Sequence, residues 1–331
     1  MRKNLLIAVK LTILVLVLVW ICSSINRDDW NTLVQQEKNW GLLAASLVAV
    51  LVAHVICYLR WYVFVHALQI PISMTEAIKF GFLGNLFNFV SLGSVGGDLF
   101  RAIAAALKAG KKRPEVIASV LVDRIVGLLG LTYVTAFSLQ LYSDNLSVTL
   151  DLIRRGTLIG SVIGTICLAL VTFAGHHLPI KLLNRIPMFG HALHRMASAG
   201  MLFEGRPALV GTLLGMTAMV HSLLTVGMYL ISISLYAETP SLAEHFLTVP
   251  PAFAAAALPL TPGGVGVQEM AVAKLIEELP ILPAGFNGLI VAVMFRIELI
   301  VVAVIGGIYY LFGAKEIKRI QIESVTHPLD K

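Results

Sequence analysis

Long apolar stretches separated by short polar segments dominate the pattern of this sequence. A helix needs about 20 mostly apolar residues to cross a bilayer. Six stretches reach that length, namely residues 5–25, 41–65, 116–141, 157–175, 207–236 and 287–312. The pattern therefore predicts an all-α polytopic membrane bundle with six full spans, and residues 1–331 are interpreted as a single integral membrane domain.

Two further apolar regions are interrupted near their middle. Residues 75–108 break at 93–97, and residues 242–279 break at 259–264, which leaves pieces that are individually short for a full span. Non-helical backbone at membrane depth is tolerated where it is buried in protein or lines a cavity. We therefore expect each region to form a re-entrant helical hairpin that enters and leaves the membrane on one side.

The distribution of positive charge predicts an orientation. With both termini in the cytoplasm, 17 of the 25 Lys and Arg residues fall in inner segments and 5 in outer ones, as the positive-inside rule requires. This count supports six spans and leaves open that the interrupted regions cross the membrane fully. We expect a multi-pass protein of the cytoplasmic (inner) membrane. Residues 1–24 alternatively fit a signal peptide, whose removal would leave the remaining topology unchanged.

The same topology relates the two halves of the chain by inversion. Segment 41–65 begins outside, whereas its counterpart 207–236 begins inside, so residues 41–141 and 207–312 form two inverted repeats. Residues 176–206, rich in His, Arg and Pro, would form a cytoplasmic linker between them. Inverted repeats recur in secondary transporters, where the substrate site lies near the midplane between the halves.

A glycine pair marks the break in each interrupted region, and an offset of 167 residues superposes the two pairs. Ser94 and Thr261 are typical N-caps, and Pro262 fits a first helical position, so two helices are predicted to begin here. Free N–H groups at a helix start suit phosphate or carboxylate, and glycine permits close approach. Alternatively, the glycines serve only turning and packing. The candidates from these motifs are Gly96, Gly97, Gly263, Gly264 and Gly266.

Charged residues follow the first glycine pair and recur within the next span. Asp98 and Arg101 are three residues apart, hence on one helical face, and can pair. Asp123 and Arg124 point about 100° apart on a helix, so each needs a partner on another element. We expect Asp98 to contact Arg124, and Arg101 to contact Asp123. A purely structural charge network and a phosphate site are both consistent with this pattern.

The second half carries fewer charges at comparable depth. Glu269 follows the second glycine pair, and Arg296 and Glu298 lie in the last predicted span. Because residues two apart on a helix face about 200° apart, we expect Arg296 to face Glu269 and Glu298 to face away. Packing and substrate contact are equally consistent here. Arg60, near the cytoplasmic end of its span, is expected to extend its charge to the interface.

Composition narrows the class of protein. With 57% hydrophobic and 13% charged residues, the chain has too little polar surface for a soluble globule. The formal net charge of +6 is scattered over short loops, which indicates membrane orientation rather than nucleic-acid binding. The three cysteines lack metal-ligand spacing, and GxSxG and P-loop motifs are missing. Neither a cofactor nor a metal is therefore predicted.

Taken together, these motifs resemble the lysylphosphatidylglycerol synthase transmembrane-region family, a flippase-like membrane domain also found at the front of multiple peptide resistance factor. The resemblance covers roughly residues 5–315. It implies lipid handling across the cytoplasmic membrane, with the motif positions lining a central cavity. The residues that carry it are Gly96-Gly97-Asp98 with Arg101, Asp123-Arg124, Pro259 through Gly263, Gly264 and Gly266 to Glu269, and Arg296.

The sequence also departs from the family pattern. The acidic residue before Arg124 is more often Glu in the family, and Ser91-Leu92-Gly93 stands where a proline is common. The sequence ends at Lys331, without the cytosolic aminoacyl-transferase domain of the two-part relatives. We therefore expect that this sequence does not itself synthesise lysyl lipids.

The leading hypothesis is a lipid flippase or amphiphile transporter that moves a phosphate-containing headgroup through a charged midmembrane cavity. The alternatives are an intramembrane lipid transferase, with Asp98 or Glu269 as general base, and a noncatalytic membrane partner of a separate lipid-modifying transferase. Membrane lipids and a separately encoded lipid-modifying enzyme are the partners considered. The substrate-binding candidates are Gly96, Gly97, Asp98, Arg101, Asp123, Arg124, Gly263, Gly264, Gly266, Glu269 and Arg296.

Overall fold

All regular structure in the described part of the chain is helical. The computed structural model describes residues 34, 37–90, 95–109, 113–142, 146–174, 201–258, 260–261 and 263–312. Over these residues it forms nine α-helices and a short 3-10 helix at Met201–Phe203. The α-helices are α1 (Trp40–Ala67), α2 (Met74–Val90), α3 (Val95–Lys108), α4 (Arg113–Leu141), α5 (Val148–Ala174), α6 (Pro207–Leu235), α7 (Leu242–Ala256), α8 (Val267–Glu277) and α9 (Gly288–Phe312).

Five of these helices are long and apolar enough to cross a membrane: α1, α4, α5, α6 and α9. They coincide with five of the six predicted spans, so the chain is a multi-pass helical membrane protein. The sixth predicted span, 5–25, lies outside the described residues, as do both termini and most of the linker predicted at 176–206.

Helix α5 begins earlier than the sequence pattern indicated. The predicted spanning stretch starts at residue 157, whereas the helix that contains it begins at Val148. Its first turns contain Asp151, whose carboxylate pairs with Arg154 and Arg155 on the same helix. Such pairs, three and four residues apart, satisfy the charges locally and let the helix extend beyond its apolar stretch.

Each interrupted region consists of two helices that pack against each other, α2 on α3 and α7 on α8. In the first pair the helices run antiparallel, because Glu76 near the start of α2 pairs with Lys108 at the end of α3. At the other end, the Gly97 N–H donates to Asn88 Oδ1 at 2.8 Å. Residues 91–94, including the predicted cap Ser94, lie outside the described residues. Re-entry from one membrane side remains a prediction.

The two halves pack in a reciprocal arrangement. Helix α1 runs against its counterpart α6, α2 packs on α9, and α7 packs on α4. Within the halves, α3 contacts α4 and α8 contacts α9. A two-fold relation between the halves would produce these matching contacts, although their inverted orientation in the membrane remains a prediction.

Candidate substrate-binding site

Two aspartates and three arginines from α1, α3 and α4 form one charged cluster. The Asp123 carboxylate accepts hydrogen bonds from Arg60 Nε at 2.9 Å and from Arg101 Nη2 at 3.3 Å. The Asp98 carboxylate accepts from Arg101 Nη2 at 2.9 Å and also pairs with Arg124. The predicted pairs of Asp98 with Arg101, Asp98 with Arg124 and Arg101 with Asp123 are therefore confirmed.

Arg60 is the member of this cluster that sequence reasoning missed. The prediction that its charge reaches the interface was wrong, because its side chain is 5% exposed. Besides its pair with Asp123, it donates to Thr217 Oγ1 on α6 at 2.8 Å. Arg60 lies seven residues before the end of α1 at Ala67, roughly 10 Å along the helix at the ordinary rise per residue. This distance from the helix end was the feature of the sequence that could have indicated that Arg60 is buried.

The charged cluster borders a cavity of about 330 Å³ between both halves of the bundle. Helices α1, α2, α3, α4, α6 and α7 all contribute to its wall. We call this cavity the chamber. Five of the sequence-predicted site residues line it, namely Gly97, Asp98, Arg101, Asp123 and Arg124.

The described residues on the chamber wall carry an excess of positive charge. Three guanidinium groups, from Arg60, Arg101 and Arg124, face the two carboxylates of Asp98 and Asp123 on its wall, which leaves a formal charge of +1 for this cluster. In addition, Arg101 is buried and its Nε has no hydrogen-bond partner among the described residues. A buried donor of this kind is costly unless something accepts its hydrogen. The arrangement therefore suits an anionic, oxygen-rich group.

Further polar groups surround the chamber. Asn85 Nδ2 donates to the Tyr58 hydroxyl at 2.7 Å, and a His221 ring nitrogen lies 3.3 Å from the Gly127 carbonyl oxygen. From the second half, the Ala257 carbonyl oxygen accepts a hydrogen bond from Arg124 Nη2 at 3.5 Å. This contact connects the charged cluster to the end of α7, next to the second break.

The second glycine motif forms a separate, compact set of contacts. Glu269 accepts from the Gly266 N–H at 2.7 Å and from Arg296 Nε at 2.5 Å, which confirms that Arg296 faces Glu269. Arg296 also donates to the carbonyl oxygens of Gly263 and Gly264, at 3.1 and 3.3 Å, and to Gln268 Oε1 at 3.0 Å. One guanidinium thus holds the backbone of the bend.

The glycines of the second break adopt backbone conformations that other residues disfavour. Gly263, Gly264 and Gly266 have φ angles of 61°, 68° and 87°, in the left-handed region where a Cβ is strained. The helix start predicted at Thr261 and Pro262 was wrong. Helix α8 begins at Val267, because the glycine turn continues until Glu269 caps the helix through the Gly266 N–H.

Most of the candidate residues lie at two separate places, the chamber wall and the bend between α7 and α8. Glu269 is 1% exposed, and the described residues that border the chamber include neither Glu269 nor Arg296. Gly96 and the three glycines of the second break are also absent from that set. In the described ranges, no group of three His, Cys, Asp or Glu side chains has the spacing of a metal site.

A comparison with protein families matches the description "Lysylphosphatidylglycerol synthase TM region" to residues 7–307. The chain belongs to this family. The match covers all nine helices except the last residues of α9, and it includes every candidate site residue. A search of curated proteins finds no match to this chain.

Proposed function

We propose that this protein is a lipid flippase or amphiphile transporter whose chamber binds a phosphate-containing headgroup while the acyl chains stay in the bilayer. The observation that carries the proposal is the cluster of three arginines and two aspartates on the chamber wall, in which Arg60, Arg101 and Asp123 are buried. Charges at membrane depth are rare and usually serve a substrate path. The family membership agrees with a role at the membrane, and the cytoplasmic membrane with both termini inside is the location we propose.

Arg101 and Arg124 are the proposed phosphate ligands. A guanidinium binds phosphate through a planar fork of donors, and Arg101 has a buried Nε that needs an acceptor. Asp98 contacts both arginines and would hold their planes toward the chamber. Asp123 would do the same for Arg101 and Arg60. Membrane lipids are thus the proposed partners.

The second glycine motif has a supporting role in this proposal. Gly263, Gly264 and Gly266 would set the bend between α7 and α8, and Glu269 with Arg296 would hold it. This bend positions the end of α7, whose Ala257 carbonyl oxygen contacts Arg124. We therefore propose that the first motif binds the headgroup and that the second motif stabilises the bend between α7 and α8.

Reconstitution into vesicles tests this proposal through Arg124→Ala. We expect the wild-type protein to accelerate leaflet exchange of a fluorescent anionic phospholipid in phosphatidylcholine vesicles. Losing a charge-assisted hydrogen bond costs about 1.5–3 kcal/mol, so the variant should exchange lipid at least about tenfold more slowly. The matched control is Arg155→Ala, which removes an exposed arginine from α5.

Two results would count against the proposal. Wild-type vesicles that show no exchange across anionic and zwitterionic lipid probes would exclude lipid flipping. Equal exchange rates in Arg124→Ala and Arg155→Ala would exclude the charged cluster as the headgroup site. Both variants must first be shown to have the wild-type elution volume in detergent.

A further inference from the structure

Glu298 is a buried carboxyl group that belongs neither to the charged cluster nor to the second bend. It is 8% exposed and lies on α9. The other two buried carboxylates, Asp123 and Glu269, each pair with an arginine, whereas Glu298 forms no ion pair with any described residue. An ionised carboxylate is costly to bury without a cation. The one described residue that forms a hydrogen bond with it therefore matters for its protonation state.

That partner is the Ser46 hydroxyl, which has two neighbours and one hydrogen. Ser46 Oγ lies 2.8 Å from the Gly227 carbonyl oxygen and 2.9 Å from Glu298 Oε2. A carbonyl oxygen only accepts, and a hydroxyl donates a single hydrogen. Both contacts are full two-centre hydrogen bonds, rather than one hydrogen shared between two acceptors, only when Glu298 carries a proton and donates it to Ser46 Oγ. The geometry fits the neutral carboxylic acid.

These three groups join three helices where the halves meet. Ser46 lies on α1, Gly227 on α6 and Glu298 on α9, and α1 and α6 form one of the contacts between the two halves. A Cβ on Gly227 would lie 3.1 Å from Val50 Cγ2, so the helices approach closely here. When Glu298 loses its proton, the Ser46 hydroxyl turns to the carboxylate, and Gly227 loses its bond to α1.

The described ionisable side chains on the surrounding helices do not pair with Glu298. His54 on α1 bonds to the Val50 carbonyl oxygen, and Arg296 on α9 is held by Glu269. None of the ionisable side chains on the helices packed against α9 forms an ion pair with Glu298 in the described structure. They are His54, Cys57, Tyr58, Arg60, Tyr62 and His66 on α1, Glu76 and Lys79 on α2, His221 and Tyr229 on α6, and Glu269, Lys274 and Glu277 on α8.

We infer that Glu298 is a proton-binding site whose occupancy controls the contact between the two halves, and thereby the rate of lipid movement. The second part rests on the proposed function. Helices α1 and α6 also meet at the chamber, where Arg60 donates to Thr217 Oγ1. A change in their contact therefore reaches the charged cluster. The proton-bound state has the additional bond between α1 and α6, so it is the slower state.

Infrared spectroscopy of the purified full-length protein tests the proton site without transport. At neutral pH, we expect the wild type to show the carbonyl band of a protonated carboxylic acid, and Glu298→Gln to lack it. Glu277→Gln, which alters an exposed carboxylate paired with Lys274, is the control and should retain the band. Ser46→Ala should retain the band at a shifted frequency, because the hydrogen-bond partner is gone.

Lipid exchange at different pH values tests the control of transport. In vesicles with equal pH on both sides, wild-type exchange should slow by about fivefold or more as the pH falls from alkaline values to neutral, where Glu298 takes up its proton; this lies within the usual range of coupling factors. Glu298→Gln keeps a neutral donor at every pH, so its exchange should be slow and insensitive to pH. Glu277→Gln should follow the wild type.

The possible results separate this inference from the proposed function. A carbonyl band that is missing from the wild type, or unchanged in Glu298→Gln, overturns the proton site. If the wild type exchanges lipid and Glu298→Gln shows the same dependence on pH, the control of transport by Glu298 is overturned, whereas the proposed function is not. No exchange by the wild type at any pH overturns the proposed function and the transport part together, while the infrared result still decides the proton site.

Discussion

Asp123 joins two of the three arginines in the charged cluster. It is buried, and its two carboxylate oxygens accept separate bonds from Arg60 on α1 and Arg101 on α3. The side chain therefore connects three helices while lying on the chamber wall. If the proposed function holds, a residue in this position serves both stability and substrate contact, and a substitution there should affect both.

Replacing this carboxylate with an amide measures its structural contribution. Asp123→Asn leaves the buried Arg60 guanidinium without its charge partner and Arg101 with Asp98 alone, and breaking a buried ion pair costs about 3–5 kcal/mol. We expect a loss of this size in the free energy of unfolding, measured by denaturant titration in detergent. The control is Asp151→Asn on α5, whose partially exposed pairs are worth about 1 kcal/mol or less. Equal losses in the two variants would mean that the Asp123 pairs contribute little.

The two interrupted regions share a glycine pair, but their local structures differ. In the first, Gly97 lies in a helical turn of α3 and packs directly against α2. In the second, the glycines precede α8 and adopt left-handed conformations. The same residue type therefore provides close helix contact in one element and a backbone bend in the other. Only the first glycine pair contributes a residue to the chamber wall.

A methyl group at Gly97 tests the close contact within the first pair of helices. A Cβ there would lie 2.2 Å from the Gly84 carbonyl oxygen and 2.7 Å from Asn88 Oδ1, so backbone must move. Overpacking of this kind typically costs about 1–3 kcal/mol, and we expect Gly97→Ala to lower the unfolding free energy accordingly. Gly156→Ala on α5 is the control, since no described atom lies within 4 Å of its added Cβ. A destabilisation no larger than that of the control would contradict the packing described here.

At the scale of the whole molecule, the matching contacts of the two halves place one chamber between them. Both halves contribute to its wall, with α1 to α4 from the first half and α6 and α7 from the second. A carrier with this arrangement can change access by moving one half against the other. The proposed inversion of the halves adds a further requirement. The chain ends of the first interrupted region, away from its glycine break, should then lie on the opposite side of the membrane from the corresponding ends of the second region.

Cysteine labelling in intact cells tests that inversion. In a variant whose cysteines at 22, 57 and 167 are replaced, we would introduce Met74→Cys before the first region or Ile281→Cys after the second. Both positions are exposed in the structure. A membrane-impermeant maleimide should label Cys at 281 from outside, and Cys at 74 only after the cells are opened. Labelling of both positions from the same side would exclude inverted halves.

The sequence by itself determined the helices and part of the charged cluster. Five spans and both interruptions were predictable, because the hydrophobic length of a helix and its breaks at glycine or proline are properties of local sequence. The pairs of Asp98 with Arg124 and Glu269 with Arg296 were also predictable. Charges are so scarce at membrane depth that each has few available partners, and helical spacing selects among them.

Only the tertiary structure decided where these residues act. Arg60 joins the cluster because α1 packs across α4 and α6, a long-range arrangement that no local pattern specifies. The late start of α8 depends on how Glu269 and Arg296 hold the glycine turn. Likewise, the contact of Ser46 with Gly227 and Glu298 exists because three helices, distant in sequence, cross at one point. Packing between distant elements set these contacts, whereas local composition set the helices.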